Sequence, residues 1–101
     1  MARGSNYKLT EAIMITVKKI NETNFDVTVE GRTTTTHRVT VETDYYDKLT
    51  GGEVAPEVLV EKSFEFLLER EPNTSILRTF DLPVIGRYFP EYERTIKGML
   101  G

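Results

Sequence analysis

The chain has no cysteine and no tryptophan, a single histidine and no long apolar run. Each absence closes off a class of chemistry. Without cysteine there is no disulfide framework, no thiolate nucleophile and no cysteine-ligated zinc or iron–sulfur centre, so no oxidising compartment is required. Apolar runs of four residues or fewer cannot form a transmembrane helix or the apolar stretch of a signal peptide, and the expected location is a bacterial-type cytoplasm, with no membrane partner. With one histidine, a Ser/His/Asp or Cys/His constellation has only His37 to draw on. His37 falls on the apolar side of an alternating run with Val39 and Val41, so it reads as a partly buried sheet residue rather than a base.

What is present fits one domain over residues 1–101, with 39% hydrophobic and 29% charged residues. Thirteen Lys/Arg against sixteen Asp/Glu give a net charge of -3 and a pI near 5.2, which provides no whole-domain basic field for nucleic acid. The charge is unevenly divided. Residues 1–42 carry six basic and five acidic side chains, net +1, and residues 43–101 carry seven and eleven, net -4.

Residues 1–10 are polar and unpatterned, and are expected to be frayed. From residue 12 a period of two sets in: Ile13, Ile15 and Val17 alternate with Met14, Thr16 and Lys18, which predicts a half-buried strand. Asn21 to Asn24 supply a turn, and Phe25, Val27 and Val29 give the second strand of a hairpin. A run of threonines, Thr33 to Thr36, leads into a third strand. Residues 12–42 are thus expected to form a three-stranded antiparallel β-meander.

The period changes after Glu42. Thr43 or Asp44 can cap a short helix over Tyr45 to Leu49 that stops at Gly51-Gly52, because glycine takes the left-handed C-terminal conformation without a Cβ clash. Pro56 opens the longest element, Glu57 to Glu69. On a helical wheel Leu59, Val60, Ser63, Phe64, Phe66, Leu67 and Leu68 cover about 200° of it, so one long central helix touching neighbours on two sides is expected. Glu57, Glu61, Glu65 and Glu69, four residues apart, read as a solvated acidic stripe. Beyond Pro72 the prolines at 83 and 90 punctuate short helices: one from Thr74 or Ser75 through Phe80, one after Asp81, and one over Glu91 to Met99. Residues 43–101 form the helical part. The predicted class is α+β.

No nucleophile–base pair or metal set assembles from these residues, so neither catalysis nor a cofactor is expected, and no metal. The Thr50-Gly51-Gly52 turn lacks the lysine of a phosphate loop and is read as a helix cap. Two surfaces remain. Tyr88 and Tyr92, flanked by Arg87 and Arg94, have the composition of a protein-binding hot spot. Thr36, Arg38 and Thr40 share the outward side of the third strand, the one place that could tolerate nucleic acid. The wide apolar arc also suggests self-association, as a homodimer.

Two resemblances bear on these surfaces. The run from Thr36 to Glu71, an Arg/Thr-bearing strand followed by two helices, resembles a ribbon-helix-helix module. That resemblance implies a DNA-binding or antitoxin-type regulator in which Thr36, Arg38 and Thr40 read the major groove. From His37 to Glu93 the segments HRVTV, YYDKLTGG, SFEFLLERE and the YFPEY end are similar to a group of small uncharacterised bacterial proteins, which implies no activity. The first expectation is a non-catalytic protein-interaction or self-associating domain with an unidentified protein partner; the DNA-binding regulator is the alternative.

Overall fold

A computed structural model describes residues 13–101; the segment expected to fray, residues 1–10, lies outside the described residues. The chain is α+β. Strands β1 (Met14–Lys19), β2 (Asn24–Glu30) and β3 (Thr34–Thr40) are followed by helices α1 (Thr43–Thr50) and α2 (Pro56–Leu68). A 3-10 turn at Asn73–Ser75 leads to a fourth strand, β4 (Thr79–Asp81), and then helices α3 (Val84–Tyr88) and α4 (Tyr92–Leu100). The sheet runs β1-β2-β3-β4. The first three strands pair antiparallel, with Val17 opposite Val27 and Val27 opposite His37.

The helix layout differs from the sequence expectation in the last third. In place of a helix from Thr74 or Ser75 through Phe80 there is one 3-10 turn and a strand parallel to β3, with Val39 opposite Phe80. Parallel pairing needs a long crossover, which α1 and α2 supply. Three residues alternating exposed, buried, exposed are too few to announce a strand by periodicity. The N-cap also differs: Glu42 takes that position, with no side-chain cap bond, in place of Thr43 or Asp44. At the other end of α1 the glycines act as read, Gly51 and Gly52 having φ of 65° and 79°, and the Gly51 N–H bonds to the Asp47 carbonyl at 2.8 Å.

One face of the sheet is apolar and covered. Phe25, Val27, Val29 and Val39 are fully buried against Leu59, Val60 and Phe64 of α2. The other side of α2 meets α4 and the segment before it: the Phe66 ring lies 5.2 Å from Tyr92 and 5.9 Å from Phe89. A helix sandwiched this way needs an apolar arc wider than one stripe. Of the Glu57, Glu61, Glu65 and Glu69 row, expected to be solvated, Glu69 is exposed as read. Glu57, Glu61 and Glu65 are half-buried, because the wide arc pushes the row round to the flank where β1 lies.

The opposite sheet face is covered by no described helix and is polar, with Thr16, Thr28 and Thr36 in one cross-strand row. No described helix is long and apolar enough to cross a membrane.

Candidate functional site

A cleft of about 240 Å³ opens where the end of α2, the 3-10 turn, β4 and α3 converge. Its floor is Leu67, Ile76, Phe80 and Ile85, all buried. Its rim is Leu77 and Tyr88, 47% and 67% exposed, with Phe89 and Val84 beside them. Exposed apolar side chains around an apolar depression are the usual mark of an interaction site.

The wall bearing Leu77 is held by a buried polar chain. His37 is 1% exposed and packs on Phe64, ring to ring at 5.3 Å. Its Nδ1–H donates to the Leu77 carbonyl at 2.7 Å, since a carbonyl can only accept. Nε2 is then the acceptor, taking the Thr35 hydroxyl proton at 2.8 Å. Thr35 Oγ1 in turn accepts from Asn73 Nδ2 at 3.1 Å, and the same amide donates to the Thr33 carbonyl at 2.7 Å. Burial lowers the His37 pKa below its ordinary value and so keeps the neutral tautomer this chain needs. By anchoring the backbone at Leu77, the network turns that side chain outward to the rim.

Glu71 is the cleft's one charged group. Burial raises its pKa above the ordinary carboxylate value, and no described cation pairs with it. The neighbouring Arg70 points elsewhere. Its guanidinium stacks 3.6 Å over the Phe66 ring, donates to the Phe66 carbonyl at 2.9 Å and pairs with Glu91 at 3.1 Å. Arg70 thereby satisfies a carbonyl at the end of α2 and leaves Glu71 alone in an apolar wall.

The four residues expected to form a hot spot separate. Tyr88 stands at the cleft rim and Arg87 next to it is exposed. Tyr92 is a correction: it is fully buried, and its hydroxyl lies 2.6 Å from Ser63 Oγ. It does not share a surface with Tyr88 because α3 ends at Tyr88 and the chain turns at Phe89-Pro90 before α4 begins. Arg94 is exposed on α4, on the side of Glu91, whose carboxyl its own backbone N–H, Arg70 and Arg94 together hold below the usual range.

Thr36, Arg38 and Thr40 do share the outer sheet face. Arg38 is engaged by both carboxylate oxygens of Asp26 across the strands, and Thr40 donates to Asn24 Oδ1 at 2.8 Å. Among the described strand residues Lys18 and Arg38, both opposite Asp26, share that face with Glu30 and Asp81 as well, two cations against three carboxylates. Sequence reasoning missed Glu71, Ile76 and Leu77 as site residues, since no local pattern sets them apart.

No group of three or more histidine or acidic side chains suited to a metal ion occurs among the described residues. These residues define an α+β domain with a one-sided sheet and an apolar cleft at one sheet edge. The chain matches no family model, no curated protein and no solved structure.

Proposed function

We propose that the chain is a non-catalytic protein-interaction domain of the cytoplasm whose C-terminal cleft receives a short partner segment. That segment presents one bulky apolar side chain next to a lysine or arginine. The carrying observation is the Glu71 carboxylate, with no described cation paired to it, in a cleft walled by Leu67, Ile76, Phe80 and Ile85 and rimmed by exposed Leu77 and Tyr88.

Size supports a side chain over a cofactor. About 240 Å³ falls below the roughly 300–1,000 Å³ of small-molecule pockets. Charge supports a basic neighbour, because an unpaired carboxylate at an apolar wall gains most from a cation that arrives already held in place. The polar groups of the cleft are Glu71, Ser75 and Tyr88, while the histidine is committed to Leu77 and Thr35, so no poised nucleophile and base meet there.

The test is a titration of short peptides that vary an apolar residue and its basic neighbour, read by calorimetry. Binding lost in Tyr88→Ala and weakened in Glu71→Gln is the expected result. Peptides that bind none of the proteins, or bind Tyr88→Ala unchanged, would refute it. The DNA-binding alternative through Thr36, Arg38 and Thr40 has less behind it. A ribbon that pairs with its mate needs a free edge, and β3 has β2 on one side and β4 on the other.

A further inference from the structure

The far edge of the sheet is a second, separate feature. Among the described residues β1 pairs only with β2, and no described strand lies along its other edge. The Ile20 N–H donates to the Asn24 carbonyl at 2.8 Å. Antiparallel ladders alternate, so the even-numbered residues of β1 bond to β2 and the backbone groups of Ile13, Ile15, Val17 and Lys19 point outward from the sheet edge. The same strand region holds exposed Ile13, Met14 and Ile20, at 53%, 62% and 41%. Along its inner flank lies a groove of about 370 Å³ between Ile13 and Ile15 on the β1 side and Glu61, Glu65, Leu68 and Glu69 on the α2 side.

We infer that this edge pairs with the same edge of a second copy of the chain, antiparallel, about a two-fold axis at Thr16. The two four-stranded sheets become one of eight strands. Opposed residues must share a sheet face, which fixes the register to an even sum of residue numbers. About Thr16 this sets Ile15 opposite the partner's Val17 and Ile13 opposite the partner's Lys19, forming about eight new backbone hydrogen bonds.

The charges select this occupant. Lys19 has the same strand parity as Ile15 and Val17, so the partner's Lys19 enters the inner flank beside Ile13, where Glu65 and Glu69 line the groove. The acidic row on α2, which the cleft does not use, thereby meets the basic end of β1. Edge lysines ordinarily protect a strand from pairing; here each finds carboxylates on the other copy. An isologous contact of this kind closes after two copies and leaves no β1 edge for a third.

The experiment is sedimentation of the intact chain from about 1 μM to about 1 mM, with Val17→Pro, Lys19→Glu and Tyr88→Ala alongside. The wild type should reach twice 11.6 kDa. Val17→Pro removes an outward N–H and leaves the β1–β2 ladder intact, and should be monomeric with an unchanged circular dichroism spectrum. Should that variant fail to fold, Lys19→Glu decides: it should weaken association at least about tenfold, and adding Glu69→Lys should recover it. Tyr88→Ala should dimerise as the wild type does, which separates this contact from the cleft. A wild type monomeric throughout, or a dimer indifferent to both β1 substitutions, or one lost in Tyr88→Ala, would overturn the inference.

Discussion

Ser63 and Tyr92 form a buried pair whose energetics can be worked through. Ser63 Oγ donates to the Leu59 carbonyl at 2.7 Å, which spends its only proton, so the Tyr92 hydroxyl at 2.6 Å must be the donor to Ser63. Both side chains are fully buried, and burial pushes the Tyr92 phenol above its ordinary pKa. Tyr92→Phe removes one donor and leaves Ser63 satisfied by Leu59, a loss of about 1 kcal/mol. Ser63→Ala strands a buried phenolic proton, a cost of about 1–3 kcal/mol, offset by about 0.5 kcal/mol of helix propensity. The double variant strands nothing and should lose about 1 kcal/mol, short of the sum of about 2.5. Urea unfolding followed by far-ultraviolet circular dichroism gives all four stabilities, there being no tryptophan to report. Additive losses would refute the assigned bond.

Other consequences are as direct. Because burial lowers the His37 pKa, the unfolded chain takes up the proton first as pH falls. The stability His37 contributes is therefore complete above about pH 6.5 and declines below it, through the folded-state pKa. Glu71, whose pKa is raised, works in the opposite sense. Thermal unfolding of Glu71→Gln between pH 7.5 and about 5.5 should isolate the histidine slope, and a flat profile would contradict its buried neutral state. Asn73→Ala should cost about 0.5–1.5 kcal/mol by removing the bonds of its amide to the Thr33 carbonyl and the Thr35 hydroxyl and should weaken peptide binding at the cleft, measured on the same samples by unfolding and calorimetry. Gly51→Ala should cost about 1 kcal/mol through its left-handed backbone, with urea midpoints as the check. Arg38→Ala should leave DNA retention at low salt unchanged, and loss of a salt-dependent shift on mobility gels would restore the regulator reading.

Much of the sheet was legible because its physics is local. Alternation at Phe25, Val27 and Val29 reports a strand with one covered face, and the chain from Asn21 to Asn24 reports the turn. The width of the apolar arc on α2 reported two neighbours, and Phe66 against Tyr92 on one side and Phe64 against His37 on the other are those neighbours. What stayed hidden is nonlocal. Thr79–Asp81 becomes a strand only because the backbone of β3 offers it partners, with the Arg38 N–H donating to the Arg78 carbonyl at 2.7 Å and the Leu82 N–H to Thr40 at 2.9 Å. Tyr92 was misplaced for a related reason. Its amphipathic character suits a surface, and only the Ser63 hydroxyl on another helix makes burial affordable.

The parallel join of β3 to β4 also governs the order in which the chain can fold. His37 and Leu77 are 40 residues apart in sequence, while β1, β2 and β3 are linked by tight turns. A meander can assemble from nearest neighbours, but the β4 contact must await the whole α1–α2 crossover and bear its loop-closure entropy. Native-state hydrogen exchange should accordingly find the amides of Arg78 to Leu82 opening below the global unfolding free energy. The cleft is built on that late-joining segment. Anything that fills it acts as a clasp on the last step of folding, so occupancy would lengthen the lifetime of the folded state even where it adds no contact to the meander.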